Sequence, residues 1–350
     1  MADIKDRIRD IESAIRIDPA RRGLLAGEAS ALLGLGHLAE AARALSENSG
    51  EVGIVTGFPI STDDGPLAET DGPPGAALLA DVCRQLGMRV RLITDSVARE
   101  AVGIAARAIG MPETDVESCP LDRPAGAQWC REFRDRAGSL THLIAIERPG
   151  PSHTLDSILT VSGPSIRDTY SEFVPREHHD GCHNMRGENI DEHTGPLHLL
   201  FEGIAKVRRS ESPDERPYIS HSSVRTIGIG DGGNEIGMGS FAWETLHRAI
   251  AGAHGRRIAC RIATDRTILA GTSNWGAFAL AAALSLIRER ADLIEAWTTA
   301  RHRELLEALV EDGPAVDGVT RERTATVDGL PFVTYMQPWE RIREIVNCRD

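Results

Sequence analysis

The sequence predicts an α/β fold, a mostly parallel sheet with helices on both faces, and three observations carry that prediction. Short β-branched runs alternate with amphipathic stretches of about ten residues or more from position 51 onward. Glycine and proline fall at the ends of those runs, where exit turns are needed. With 41% apolar residues in a chain of 350, there is enough hydrophobic surface to bury a sheet on both sides.

Each element follows in order. Residues 1–48 read as a helical leader, because Ile4, Ile8, Ile11 and Ile15 recur at three- and four-residue steps. A second helix, rich in Ala and Leu, is expected from about Gly23 to Leu45. EVGIVTGFP (51–59) is a buried strand with its exit turn, and GAALLADVCRQLG (75–87) an amphipathic helix stopped by glycine. RVRLITD (89–95) is a strand, followed by a helix over 96–110 with Ser96 as its N-cap. A helix over about 125–138 leads to the strand THLIAIE (141–147). The polar segment 148–182, with four prolines, reads as one long functional loop. Beyond Pro196 a helix is expected to about 210, then the strand VRTIGIG (224–230) and a helix from Asn234 to about His254. RRIACRIATD (256–265) is expected as a strand, 274–311 as long helices, and the C-terminal helix from about Trp339. No repeat or linker divides residues 49–350, which read as one Rossmann-like, three-layer α/β domain.

Charge narrows the function. Lys and Arg total 39 against 52 Asp and Glu, a formal net charge of -13, which repels nucleic acid and anionic membrane surfaces. No apolar run approaches the roughly 18 residues of a membrane span. The start, MADIKDRIRDIES, mixes acids with bases and has no apolar core, so a cytoplasmic protein is expected. The six cysteines form no C-x-x-C pair and read as free thiols.

In open α/β sheets ligands bind beyond the carboxyl ends of the strands. Here those ends are followed by ETDGPPGA, by Glu147 and Arg148, by DGGNEIGMG, and by Asp265 with AGTSNWGAFALA. Gly228, Gly230 and Gly233 satisfy G-x-G-x-x-G, but Asp231 inside that turn would repel a pyrophosphate. Asp231, Asn234 and Glu235 suit an ammonium group or a hard cation better, with simple helix capping as the alternative. Asp71 is either another carboxylate at the same rim or a cap before Pro73 and Pro74. Glu147 and Arg148 could equally be an ordinary ion pair. Asn274 marks a helix start, with Trp275 stacking on a ligand or packing in the core. In EHHDGCHNMRGENID (177–191) the His and Cys residues lack zinc-ligand spacing. The segment reads instead as a polar loop offering His183, Arg186 and Asn189 to an anionic ligand, Arg186 through a bidentate carboxylate pair.

Taken together, GFP (57–59), ETDGPPGA (69–76), HLIAIER (142–148), HNMRGENI (183–190), IGDGGNEIGMG (229–239), IACRIATD (258–265), AGTSNWGAFALA (270–281) and VDGLPF (327–332) resemble the D-glutamate cyclase family. The similarity is to the cyclase-type domain that forms the C-terminal part of the mammalian enzymes. It implies a lyase that converts D-glutamate to 5-oxo-D-proline and water, with a small amino acid as partner and a homo-oligomer left open. For that chemistry Asp231 and Glu235 are candidates for the ammonium site and proton transfer, with Asp71 and Glu147 as alternatives. Arg148 and Arg186 are candidates to hold substrate carboxylates. No Ser-His-Asp pattern supports a covalent intermediate. A divalent cation, Mg²⁺ or Mn²⁺, bound by Asp71, Glu147, Asp231 or Glu235 is a variant of the same reading. A related lyase or cyclase acting on another amino or hydroxy acid, and a non-catalytic nucleotide-binding module, are the alternatives.

Overall fold

The computed structural model describes residues 4–27, 32–47, 50–202, 204–207, 218–220, 223–252 and 254–348. The chain opens with α1 (Ile4–Ile15), which buries Ile8, Ile11 and Ile15, and α2 (His37–Glu47). The second leader helix is shorter than expected: Gly34 and Gly36 take positive φ and interrupt it, and 28–31 lie outside the described residues. Strand β1 (Glu51–Thr56) is followed by the hairpin β2 (Pro59–Thr62) and β3 (Gly65–Glu69). Then come α3 (Pro73–Gln85), β4 (Arg89–Asp95), α4 (Arg99–Ala108), β5 (Val116–Cys119), α5 (Arg123–Arg136) and β6 (Leu140–Ile146). Ser96 does not cap α4. Its hydroxyl donates to the Cys119 carbonyl, while Asp95 accepts from the N–H groups of Val97 and Ala98.

The segment 148–182 is not one loop, for it holds α6 (Leu155–Ser162), started by a Thr154–Ser157 capping box, and α7 (Arg167–Phe173). The helix expected beyond Pro196 is only α8 (His198–Glu202); β7 (Ala205–Val207) and β8 (Tyr218–Ser220) then pair antiparallel, and 208–210 lie outside the described residues. After β9 (Arg225–Gly230), no helix starts at Asn234. Gly237 and Gly239 instead donate to the Ile262 carbonyl, and helix resumes only as α9 (Trp243–Ala249) and α10 (Gly255–Ile258). Residues 256–265, expected as a strand, hold the end of α10 and irregular backbone; the strand follows them as β10 (Arg266–Leu269), so Asp265 stands at the amino end of the sheet, where it accepts from the Thr226 N–H and hydroxyl. The chain ends with α11 (Ser273–Ile287), α12 (Asp292–Glu295), α13 (Thr299–Glu311), β11 (Ala315–Val316) and α14 (Phe332–Asn347). The last starts earlier than expected and carries Pro338 within it.

The main sheet is wholly parallel, in the order β10-β9-β6-β1-β4-β5. Alternation divides its side chains between two cores. Ile144 and Ile146 join the apolar cluster of α1, α2, α3, α11 and α14, whereas Leu143 and Ala145 join the cluster of α5, α8 and α9. Both faces are therefore covered, as a three-layer α/β fold requires. Strand order reverses between β1 and β6, which opens a crevice at their carboxyl ends. The small sheet β11-β3-β2 stands at that rim. All six cysteines are free. Among the described residues no helix is long and apolar enough to cross a membrane.

Candidate active site

Asp71, Glu147 and Asp231 come from three places in the chain: before α3, after β6 and after β9. All are buried, and one oxygen of each lies within 4.8 Å of the others. Local backbone choices bring them there. Glu147 has φ +44°, a left-handed conformation that costs about 1–2 kcal/mol in a residue with a Cβ. Gly72 faces it with φ +103°, and a Cβ there would stand 2.6 Å from Thr56 Oγ1 and 3.1 Å from Glu147 Cβ. Only glycine lets the Asp71 turn approach so closely.

The first turn of α11 holds the triad. The Ser273 N–H donates to Asp71 Oδ2 (2.8 Å) and Asp231 Oδ2 (3.1 Å), and its hydroxyl to Glu147 Oε2 (2.5 Å). The Asn274 N–H donates to Asp71 Oδ1 at 2.8 Å. The positive end of a helix thus faces the carboxylates. Asn274 Oδ1 accepts from the N–H groups of Gly72 and Gly75, which ties α11 to the start of α3. One guanidinium completes the cluster: Arg22 Nη1 lies 2.5 Å from Asp231 Oδ2, and Nη2 pairs with Asp328.

Burial raises the proton affinity of these carboxyls, and their mutual repulsion raises it further. Asp71 is pushed up to about 7 by burial and then by Asp328, against the pull of Arg22 and the α11 N–H groups. Burial, then Glu235 and Asp71, hold Glu147 well above the usual carboxylate range. Asp231 is raised by burial, with Arg22 pulling down and Glu147 pushing up. Glu69, on the cavity wall, is raised by burial and then by Asp328. Burial disfavours the charge on Arg22, yet Asp231 and Asp328 outweigh it and keep the guanidinium protonated.

A cavity of about 230 Å³ opens beside the cluster, lined by the polar Arg22, Glu69, Glu147, Asp231, Asn234, Glu235 and Arg186 together with Phe58, Ile60 and Met185. That size suits a small molecule rather than a dinucleotide. Larger grooves of about 480 and 620 Å³ lie at the amino ends of the strands, near Arg89 and Arg225, away from the buried triad.

The remaining candidates divide. Asn234 is buried on the cavity wall, where its amide donates to the His183 carbonyl at 2.7 Å. Arg186 is exposed at the mouth and donates to the Val319 carbonyl at 2.9 Å. Of the other five, all but Glu235 lie off the cavity wall. Arg148 is fully buried, donates to the carbonyls of Gly57 and Gly195 and pairs with Asp95 at 2.7 Å. It locks rim loops together and does not reach the cavity. Glu235 lines the cavity and also accepts from the Gly232 and Gly233 N–H groups at 2.7 and 2.8 Å, which braces its own turn. Those same N–H groups are therefore unavailable to a phosphate. With no helix behind the turn, the dinucleotide reading falls. Trp275 does not stack on a ligand; it is buried, and its indole donates to the Tyr335 carbonyl. His183 offers the site only its carbonyl, because its ring faces His178 and burial, then His178, depress its pKa to about 4. Asn189 is exposed and folds onto its own loop through Asp191.

Sequence reasoning missed Arg22, Glu69, Ser273 and Asp328. Glu69 and Asp328 lie inside ETDGPPGA and VDGLPF, and Ser273 inside SNWG, so a motif flagged three of them. Nothing local marks Arg22.

A family model described as D-glutamate cyclase-like, C-terminal, matches residues 11–172 and 169–343. The human protein "D-glutamate cyclase, mitochondrial" is 30% identical over 354 aligned residues, covering 93% of this chain and 49% of that protein. The chain thus spans about half the length of this curated relative. With a match that runs over most of its length, the chain belongs to the D-glutamate cyclase-like, C-terminal family.

Proposed function

We propose that the protein is a lyase that closes D-glutamate, or a closely related small amino acid, into 5-oxo-D-proline with loss of water. The observation that carries this reading is the convergence of Asp71, Glu147 and Asp231, buried, with oxygens within 4.8 Å. Cyclisation needs a base for the ammonium proton and an acid for the departing oxygen. In this reading the proton from the ammonium group passes through Asp231, on the cavity wall, to Asp71, pushed up to about 7 in the same carboxyl cluster. The freed amine attacks the γ-carboxyl carbon and forms the C–N bond. Glu147, whose proton affinity burial raises, gives a proton to the γ-oxygen, the carboxyl cluster returns to that oxygen the proton taken from the ammonium group, and the C–O bond breaks to release water while the ring nitrogen's second proton restores Glu147. Asp231 and the Asn234 side chain line the ammonium pocket, and Arg186 at the mouth takes a substrate carboxylate.

Three carboxylates so close together also match the oxygen-donor set of Mg²⁺ or Mn²⁺. Bound there by Asp71, Glu147 and Asp231, such an ion would polarise the γ-carboxyl group. The compartment we propose is the cytoplasm; the human relative is named mitochondrial. Incubating the purified protein with D-glutamate and assaying 5-oxoproline tests the activity. No product with or without Mg²⁺ and Mn²⁺ sinks it, and a thermal-shift screen of small amino and hydroxy acids then identifies the alternative substrate.

A further inference from the structure

We propose that Arg22 is the specificity-determining residue of the cleft, selecting an acidic amino acid in its zwitterionic form over a plain amine or a plain dicarboxylate. The inference rests on the reading of the cleft as an amino-acid site and goes further by assigning its selectivity to the N-terminal segment.

Backbone contacts strap that segment across the rim. The Ile15 carbonyl accepts from the Gly271 N–H at 2.9 Å, and the Arg22 carbonyl from the Ala251 N–H at 2.7 Å. Between them Asp18 accepts from the N–H groups of Arg22 and Gly23, both at 2.8 Å. The turn so fixed inserts the Arg22 side chain, only 12% exposed, between Asp231 and Asp328 on the cavity wall.

The charge pattern then decides what fits. Glu69, Asp71, Glu147, Asp231 and Asp328 are all buried around this guanidinium. A dicarboxylate without an amine is repelled by the Asp231 and Asp328 carboxylates already paired with Arg22. An amine without a carboxylate lodges close to Arg22 and is repelled by it. A zwitterion satisfies both, because its ammonium replaces part of the Arg22 contact at Asp231 while its own carboxylate shares the guanidinium. A fork of five N–H donors can serve a third carboxylate without leaving the first two. Remove Arg22, and the cavity becomes a site for cations alone.

The test uses the full chain, wild type and the variants Arg22→Met and Arg22→Lys, in titration calorimetry at one pH. The probes are D-glutamate, L-glutamate, D-aspartate, glutarate and putrescine. Wild type is expected to take at least one of the acidic amino acids and neither glutarate nor putrescine. Arg22→Met should weaken the amino acid by about tenfold or more and acquire putrescine. Arg22→Lys keeps a cation to support folding but cannot bridge two carboxylates, and should lie between. If Arg22→Met does not fold, the Arg22→Lys loss carries the result. Amino-acid affinity within about twofold of wild type in the folded variants overturns the inference. So does wild-type affinity for putrescine equal to that for the amino acid, or no binding of any acidic amino acid. Binding of L-glutamate or D-aspartate but not D-glutamate supports the inference and sinks only the D-glutamate substrate.

Discussion

Asp71 and Arg148 show how two charged residues at one rim serve different ends. Asp71 stands at about 7 and shares a 4.8 Å cluster with two other carboxyls. Replacing it with Asn keeps an acceptor for the α11 N–H groups and removes the charge. Turnover of D-glutamate is expected to fall about 10²- to 10⁴-fold while the protein stays folded; steady-state kinetics beside a thermal melt checks this, and an unchanged kcat would move the chemistry elsewhere. Arg148, sealed against Asp95 and two carbonyls, belongs to stability. Arg148→Met leaves a buried carboxylate alone and should cost about 3–5 kcal/mol in urea denaturation. The exposed Arg186 predicts the reverse pattern: Arg186→Ala should raise KM several-fold and leave the urea midpoint where it was.

At the level of elements, the site is a junction of α11 with the loops after β3, β6 and β9. Asn274 makes the junction, since its Oδ1 serves the N–H groups of both Gly72 and Gly75. Asn274→Ala leaves the buried Gly75 N–H without its acceptor and the Gly72 N–H with Asp71 Oδ1 alone. Folding stability should drop by about 2–4 kcal/mol, and turnover with it, because Asp71 loses its footing; chemical denaturation measures the first and kinetics the second. Gly228 in β9 is the other fixed point. A Cβ there would meet Gly237 Cα at 2.5 Å, backbone against backbone. Strand and following loop can pass that close only as two glycines. The G-x-G-x-x-G spacing therefore reflects a crossing of chains and not a phosphate cradle.

For the whole molecule, the buried carboxyl cluster sets a pH dependence. Asp71, Glu69, Glu147 and Asp231 all bind protons more tightly folded than unfolded. Stability from such groups is fully present below their unfolded values, about pH 4. It is lost as pH rises through the folded values, which for Asp71 is about 7. The melting temperature of wild type should therefore fall relative to Asp71→Asn between about pH 4 and 7. Mn²⁺, binding the ionised triad, should restore it at the upper end and have little effect at the lower end. Parallel melting curves for the two proteins, with or without Mn²⁺, would contradict both statements.

Periodicity and punctuation in the sequence determined the layered α/β architecture. RVRLITD maps onto β4 residue for residue, because a strand buried in a parallel sheet must be apolar and must end in a turn. They also determined where polar chemistry gathers, since strand ends carry ETDGPPG, GDGGNE and SNWG. Tertiary structure alone decided which of those residues meet. Residues 231–242 carry helix-like signals, yet pairing with the distant Ile262 carbonyl holds the chain extended around two glycines. Arg148 looks like a site residue until its hydrogen bonds and its pairing with Asp95 show it already engaged. Arg22 looks like one more leader charge until the fold lays it between Asp231 and Asp328. Local sequence encodes conformation through short-range sterics and burial. A buried ion pair between residues 22 and 328 depends on long-range packing, which no window of sequence contains.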